Sequence, residues 1–428
     1  MLGYLKRLFK EEFAKNVLYL VSGTAIGQLI SILAYPLITR LYDPEAFGLY
    51  VIFNSLIGFF SVVGALKYEY AIPIAENTSK ALNLLVVSLF ILVGLNLILL
   101  IALHFFGDTI LGWFDATELG GHKYFIVLGV LFTSLYSILN QWVFRTKSFK
   151  KLSVTRVYRG LSLNISQIVF GYLNLQSLGL ILGKLIGEFS GNSLLTKELF
   201  SKGRKSISEG VKYSEMKKLM RRYRKFPIFS VPTQVLNKLG LELPVFFIAS
   251  MFGSDVVGLY GLAHTIVSLP MFLIGSAVGD VYYADAASLG KTNPEELKRK
   301  SAKILKRMIL IGLIPLVILV LFGPVLFQWV FGKEWFESGS YARILAVLVF
   351  FRFVFSPLVR VFDVLEKQHI ALWLDIMRVI LVVSTFLLVD FLNLSSYTAI
   401  TIYVVNMSFV YLVTFIAANK VVSNQFRH

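Results

Sequence analysis

The chain has no cysteine among its 428 residues and only five histidines. A disulfide framework, a thiolate metal site and a cysteine nucleophile are therefore excluded. The histidines are scattered singly along the chain, so no metal ion is expected. There is also no glycine-rich loop of the kind that cradles nucleotide phosphates, which argues against direct use of ATP. We predict a protein without a cofactor.

Charged residues are scarce as well. They make up 16% of the chain, whereas apolar residues make up 56%. Soluble domains carry about 25% charged residues, so this chain has too few polar groups to cover a globular surface and is predicted to lie in lipid. The net charge of +17 does not indicate a nucleic-acid partner, because the basic residues cluster beside the ends of apolar segments.

Long apolar segments dominate what is present. A helix needs about 20 apolar residues to cross the hydrocarbon core of a bilayer. That length predicts an all-α integral membrane protein with about twelve transmembrane helices. The predicted spans are 16–38, 47–66, 80–106, 123–145, 157–174, 177–197, 226–250, 256–283, 304–331, 341–364, 369–390 and 395–419.

The distribution of basic residues predicts the orientation. Most of the 42 lysines and arginines fall on one side of the predicted spans, which is expected to be the cytoplasmic side and to hold both termini. The predicted segments are a cytoplasmic amphipathic helix (1–15), a six-helix bundle (16–200), a basic linker (201–225), a second six-helix bundle (226–419) and a cytoplasmic tail (420–428). We expect the linker to fix topology and touch anionic headgroups; the alternative is a collector for an anionic substrate headgroup.

A short sequence echo suggests an internal duplication. The triplet Gly48-Leu49-Tyr50 recurs as Gly258-Leu259-Tyr260, about half a chain length later. Each triplet follows one long apolar segment and opens the next. A hydrophobic chain built from two like-ordered halves is typical of transporters, whose substrate path runs between the repeats.

Several charged side chains fall inside predicted spans, where each costs at least ~2.5 kcal/mol unless it meets a partner or a wet cavity. In the sixth span, Lys184 and Glu188 lie four residues apart beside glycines that recur every four residues and would let a neighbouring helix approach closely. A structural ion pair and a cavity-lining role both stay open for them. Those glycines are Gly179, Gly183, Gly187 and Gly191.

The second half of the sequence carries further polar groups. Lys238 and Glu242 are again four apart, between Pro232 and Pro244, and indicate a cavity wall that moves. Arg352 lies too deep to reach water, so an anion or a carboxylate should meet it. For Asp375 with Arg378 a self-satisfied pair is expected, and for His264 an ordinary hydrogen bond.

Two stretches carry a family resemblance. The first is Ser22-Gly23-Thr24 through Gln28, then Pro36 through Tyr50, with Lys67 to Pro73 after the second span. The second runs from Tyr223 to Pro227, then through Leu236-Asn237, Gly253 and Leu269-Pro270 to Gly279. In order and spacing they resemble Wzx-type polysaccharide flippases, including O-antigen flippases, of the multidrug/oligosaccharidyl-lipid/polysaccharide (MOP) exporter superfamily.

The resemblance implies an architecture and a substrate. It implies a V-shaped pair of six-helix bundles that works by alternating access in the bacterial inner membrane. The substrate would be an undecaprenyl-diphosphate-linked oligosaccharide, moved from the cytoplasmic to the periplasmic leaflet for O-antigen, capsule or exopolysaccharide synthesis, with ion or potential coupling. Membrane lipids, a polysaccharide polymerase and chain-length machinery are the further partners implied.

Cations and amides are the expected substrate-binding groups, because a diphosphate needs positive charge when it leaves water and amides suit sugar hydroxyls. The cavity candidates are Gln28, Lys67, Asn140, Gln141, Asn164, Gln167, Lys184, Asn237, Lys238 and Arg352, and the ion-coupling candidates are Glu69, Glu188, Glu242 and Asp280.

Two other functions are weighed against a flippase. A multidrug exporter of the same superfamily would favour acidic and aromatic lining, whereas the spans here hold several cations. A polysaccharide polymerase would need a sizeable external loop with catalytic arginine or histidine, and the longest predicted external connection, 107–121, is short. The chain is predicted not to be an enzyme.

Overall fold

The computed structural model describes residues 2–289, 294–365 and 367–424, and these residues form helices joined by short turns, without a β-strand. Twelve of the helices are 18 residues or longer, and two short ones, α7 (Tyr213–Arg222) and α12 (Val361–Val364), lie between them. The long helices are α1 (Leu2–Leu41), α2 (Pro44–Ser61), α3 (Thr78–Gly112), α4 (Tyr124–Thr146), α5 (Phe149–Tyr172), α6 (Gln176–Gly210), α8 (Val231–Phe252), α9 (Ser254–Leu289), α10 (Pro294–Phe331), α11 (Phe336–Phe355), α13 (Gln368–Phe391) and α14 (Ser396–Asn424).

Nine helices in the described part of the chain are long and apolar enough to cross a membrane by length and composition. The other three long helices are α2, α5 and α6, so the count of twelve spans stays a prediction. Helix α5 nevertheless presents an exposed apolar stripe, as a lipid-facing surface requires. The stripe consists of Val154, Tyr158, Leu161, Ile165, Val169 and Tyr172.

The chain folds as two compact units, Met1–Lys238 and Leu239–His428. The division falls inside α8, later than the predicted start of the second bundle at residue 226. The reason is local: the ring of Tyr70 lies 6.5 Å from that of Phe226, and its hydroxyl is close enough to interact with the side chain of Gln234. The first part of α8 is therefore held by the first unit.

In the first unit, α5 packs between α1 and α6. Glycines allow the close approach of α1. A Cβ atom on Gly27 would lie 3.2 Å from the carbonyl oxygen of Arg156, and one on Gly160 would lie 3.2 Å from that of Gly27. These two helices therefore touch through their backbones, as small-residue seams in membranes do.

The glycine face predicted for α6 is confirmed. A Cβ atom on Gly183 would lie 2.4 Å from the Cγ of Gln167, and one on Gly187 would lie 3.2 Å from the carbonyl oxygen of Arg159. Both neighbours belong to α5. Helix α5 is thus held closely on two sides, which fixes the direction of its remaining polar face.

The second unit is built around α11, which packs against α9, α10 and α14. Helices α10 and α11 approach most closely at two glycines, since a Cβ atom on Gly339 would lie 2.5 Å from the carbonyl oxygen of Gly323. Helix α11 ends at Phe355 and a 3₁₀ segment, Ser356–Arg360, follows. The predicted span 341–364 is therefore not one continuous helix, because Pro357 lacks the N–H that would continue it.

The sequence echo has a structural counterpart. Gly48 is the fifth residue of α2, which begins at Pro44, and Gly258 is the fifth residue of α9, which begins at Ser254. The helix before each carries an internal proline, Pro36 in α1 and Pro244 in α8. The two triplets therefore occupy the same position in their helices, and the duplication itself stays a prediction.

The segments predicted to flank the first bundle are largely helical. The predicted amphipathic helix, 1–15, is continuous with the first span in α1, and the side chains of 2–18 lie outside the described residues. In the predicted linker, α6 continues to Gly210 and α7 follows after two residues. The tail beyond residue 424 also lies outside the described residues.

Candidate functional site

The first unit contains a partly open cavity of about 420 Å³ between α1, α4 and α5. Three helices contribute polar groups to its wall, and the apolar side chains of these helices point mainly in other directions. Helix α1 contributes Thr24, Gly27, Gln28 and Ser31, α4 contributes Tyr136 and Asn140, and α5 contributes Arg156, Arg159, Gly160 and Leu163. The sequence predicted Gln28 and Asn140 as cavity candidates, and the structure brings these two together.

Two arginines supply the charge of this cavity. A guanidinium nitrogen of Arg156 donates a hydrogen bond to the hydroxyl of Thr24. The guanidinium of Arg159 lies 4.6 Å from the centre of the Tyr136 ring, in a cation–π arrangement, and forms an ion pair with Glu188. Both arginines are thereby held in fixed positions on the wall.

Glu188 lies behind the wall rather than in it. Its side chain is fully buried and also forms an ion pair with Lys184 at 2.9 Å. One carboxylate thus faces two cations, and the described residues that line the cavity include no aspartate or glutamate. The cavity is therefore electropositive and suited to an anion in a low-dielectric setting.

Amide groups complete the first cavity. The buried Oδ1 of Asn140 has no hydrogen-bond partner in the described part of the chain, so it is available to a donor such as a sugar hydroxyl. Asn164 lies just outside, where its Nδ2 donates to the Ser31 hydroxyl at 3.0 Å and to the Gly160 carbonyl at 2.7 Å. It fixes the wall rather than lining it.

The second unit holds a larger cavity of about 630 Å³, mainly between α9 and α11. Arg352, predicted to face an anion or a carboxylate, lines it together with His264. The ring of His264 stacks on that of Tyr260, with centroids 5.9 Å apart. The rest of the wall mixes hydroxyls with apolar groups, among them Thr265, Ser268, Ser276, Phe272, Phe353 and Phe362.

A polar network adjoins this second cavity. The side chains of Tyr403, Glu242 and Arg352 are all close enough to interact electrostatically with Tyr260. At the exposed end of α9, Asp280 lies 3.6 Å from Arg360. Of the predicted ion-coupling residues, Glu242 and Asp280 therefore belong to the surroundings of this cavity.

Other predicted residues lie outside both cavities. Lys67 is buried before the 3₁₀ turn Tyr68–Ala71, 3.9 Å from Glu69. Burial lowers the pKa of the Lys67 ammonium and raises that of the Glu69 carboxyl, while the charge of each partner opposes the shift. The Nε2 of Gln167 donates to the Leu180 carbonyl at 3.0 Å, which joins α5 to α6.

Three further predictions concern residues that line neither cavity. Gln141 follows Asn140 on α4 and is half-buried. Asn237 and Lys238 lie in α8 at the end of the first unit, where both interact with other groups. The Asp375–Arg378 pair is present at 3.1 Å, as expected.

Sequence analysis missed Arg156 and Arg159. Both fall at the start of a predicted span, where arginines are ordinarily taken as markers of the cytoplasmic side. Their signal was the helical spacing with Gly160, Leu163 and Asn164, which places a polar face opposite the apolar stripe of α5.

The overall arrangement of helices is that of known membrane transporters. The chain is similar to an inward-facing structure of a multidrug resistance MATE family transporter of the MOP superfamily, with a TM-score of 0.75 and 16% identity over 96% of this chain and 99% of that one. It is also similar to lipid II flippase MurJ in an inward closed conformation, with a TM-score of 0.75 and 12% identity over 96% of this chain and 91% of that one. The protein is thus an all-helical membrane protein of the transporter fold, and neither relative is an enzyme.

The sequence specifies the family. Residues 37–340 match the family described as polysaccharide biosynthesis protein, and the chain belongs to it. A curated relative is the teichuronic acid biosynthesis protein TuaB of Bacillus subtilis (strain 168), 24% identical over 138 residues. That match covers 32% of this chain and 28% of the relative.

Proposed function

We propose that this protein is a flippase for undecaprenyl-diphosphate-linked oligosaccharides in the bacterial inner membrane. It would move the sugar unit from the cytoplasmic to the periplasmic leaflet by alternating access, for the assembly of a surface polysaccharide. Both termini would then be cytoplasmic. A polymerase and chain-length machinery would act on the delivered unit.

The electropositive cavity of the first unit carries this proposal. A diphosphate that leaves water needs charged donors in place of its hydration shell. Arg156 and Arg159 provide them on a wall whose described residues include no carboxylate, and Gln28 and Asn140 offer amides beside them. Membership of the polysaccharide biosynthesis family supports a sugar-bearing substrate.

The second candidate is a multidrug exporter, which the fold similarity to a MATE transporter favours. A cationic drug would require the opposite charge in the cavity. The arginines of the first unit therefore favour the anionic substrate over the cationic one.

For ion coupling, Glu242 is our choice among the four predicted carboxyl groups. Glu242 lies close enough to Tyr260 for an electrostatic interaction, and Tyr260 also interacts with Tyr403 and Arg352. A change of protonation at Glu242 would therefore alter a group of polar side chains beside the larger cavity. A Glu242→Gln variant should transport at the same rate with and without a pH gradient, whereas the wild type should be accelerated by the gradient.

The test of the main proposal uses the natural substrate. The lipid-linked intermediate that accumulates when the protein is depleted is isolated, labelled and placed in proteoliposomes. Arg156→Gln and Arg159→Gln should each lower the rate of translocation by about tenfold or more, the worth of a hydrogen bond to a charged group. Lys150→Gln is the matched control, because Lys150 is an exposed cation on the same helix, outside the cavity.

Two outcomes would contradict the proposal. If the double variant Arg156→Gln/Arg159→Gln translocates at the wild-type rate, the cavity does not bind the diphosphate. If depletion leaves surface polysaccharide unchanged but makes cells sensitive to cationic drugs, the exporter function is correct.

A further inference from the structure

Helix α7 is a short amphipathic helix attached to the first unit by its apolar face. Met216 and Leu219 are buried, and Met216 packs with Tyr68 and Val87. Polar contacts reinforce the packing: the Tyr68 hydroxyl donates to the Met220 carbonyl at 3.2 Å, and the Lys212 amide donates to Asn83 at 2.9 Å. The opposite face of α7 has a fixed direction as a result.

That opposite face is basic and exposed. The outer surface, defined here as Lys217, Arg221, Arg224 and Lys225, forms no ion pair with the described part of the chain. The neighbouring carboxylates are already engaged. Glu215 pairs with Lys218 at 2.9 Å, and Glu76 pairs with Arg222 and Lys80.

Those ion pairs also lower the pKa of each of the two carboxyl groups. Hydrogen bonds from Lys80 and Arg222 lower the pKa of Glu76, and a hydrogen bond from Lys218 lowers that of Glu215. Both carboxylates are therefore ionised at neutral pH and already engaged in ion pairs. Within the described part of the chain, the outer surface is therefore left as uncompensated positive charge.

Neighbouring residues place this surface at the depth of lipid headgroups. Asn83 and Val87, which contact the α7 region, lie in the first turns of the apolar helix α3. On the other side, Ile228 and Phe229 follow the outer surface within one turn and are 55% and 65% exposed. Both belong to Phe226–Phe252, a segment long and apolar enough to cross a membrane, so the cations lie next to the end of a hydrocarbon-spanning segment.

We infer that the outer surface of α7 binds anionic phospholipid headgroups of the membrane leaflet beside it. Clustered lysines and arginines at this depth are attracted to anionic lipid. The four side chains are spread over an exposed surface and do not converge in a pocket, which fits several headgroups better than one soluble phosphate. This inference does not depend on the transported substrate.

The absence of cysteine gives a direct test. Ser214 is exposed and lies on the face of α7 that carries Lys217 and Arg221. A Ser214→Cys variant of the full chain is labelled with a fluorophore and placed in nanodiscs with brominated phosphatidylglycerol or brominated phosphatidylcholine at equal mole fraction. Bromine quenches nearby fluorophores, so quenching should be about twofold stronger or more with the anionic lipid, and 0.5 M salt should reduce the difference by roughly half or more.

The matched variants separate this surface from basic charge in general. Lys217→Gln/Arg221→Gln/Arg224→Gln should bring the two quenching values together. Lys303→Gln/Lys306→Gln/Arg307→Gln removes three exposed cations from α10 and should leave the difference intact. All six side chains are on the surface, and an unchanged unfolding temperature verifies the fold.

Three results would overturn the inference. Equal quenching by both lipids in the wild type would mean that no preference exists. A preference that survives in the α7 variant would mean that other residues cause it. Loss of the preference on addition of millimolar pyrophosphate, without a comparable effect of sodium chloride at equal ionic strength, would assign the surface to a diphosphate group instead of phospholipid.

Discussion

Glu188 is the residue on which the charges of the first unit depend. It is fully buried and forms ion pairs with Arg159 and Lys184. Arg159 is held between this carboxylate and the ring of Tyr136, so its guanidinium cannot turn away from the cavity. We propose that Glu188 positions Arg159, while the ion-coupling role predicted for Glu188 stays a prediction.

We expect Glu188→Gln to destabilise the protein by about 3 kcal/mol, because removal of one partner leaves buried charge uncompensated. Thermal unfolding of the purified protein in detergent measures the change. Glu76→Gln is the control, since it breaks exposed ion pairs that contribute little to stability. Equal unfolding temperatures for Glu188→Gln and wild type would disprove the positioning role.

At this scale the sequence predicted part of the site. A buried Lys184–Glu188 contact follows from their spacing of four along one helix. The third partner, Arg159, lies on another helix, and no local pattern relates residues 29 positions apart. Arg156 and Arg159 also resembled ordinary topology signals, because both stand at the edge of an apolar segment.

Among the helices, α5 has the most constrained surroundings. Its neighbours α1 and α6 approach through glycines, and its third face carries the apolar stripe. The glycine spacing of α6 was visible in the sequence, but the partner helix was not, since four-residue glycine spacing states only that some helix comes close. The structure identifies that partner as α5.

Substitution of these glycines should separate packing from helix propensity. Gly183→Ala places a Cβ atom 2.4 Å from Gln167 and 3.0 Å from its backbone nitrogen, so a loss of about 1–3 kcal/mol is expected from overpacking. Gly94→Ala meets nothing within 4 Å and should be neutral or stabilising. The measurement is again thermal unfolding, and a similar effect of both substitutions would show that the seam is not tightly packed.

Across the whole molecule, the sequence predicted the class of fold correctly. Apolar length predicted the helices, and the two Gly-Leu-Tyr triplets lie at the same position near the starts of α2 and α9, while the duplication itself stays a prediction. It did not predict that the compact units divide inside α8. That boundary depends on tertiary contacts of Tyr70 with Phe226 and Gln234, which composition does not reveal.

Single cysteines can test the orientation and the number of spans, because the natural chain contributes no background labelling. In intact cells with a permeable outer layer, an impermeant maleimide should label Gly121→Cys and Asn393→Cys, which lie in predicted external turns. Ser214→Cys should react only after the inner membrane is broken. Labelling of Ser214→Cys in intact cells would reverse the orientation, and a mismatch between Gly121→Cys and Asn393→Cys would change the count of spans.

The close packing of α5 between α1 and α6 has a consequence for the insertion of the protein into the membrane. Transfer of an isolated helix with two arginines from the translocation channel into a bilayer costs several kcal/mol. The neighbours that can offset this cost are α1, which has already been synthesised, and α6, which brings the carboxylate of Glu188 only after α5 has left the ribosome. We therefore expect α5 to enter lipid stably only together with α6, as a helical hairpin.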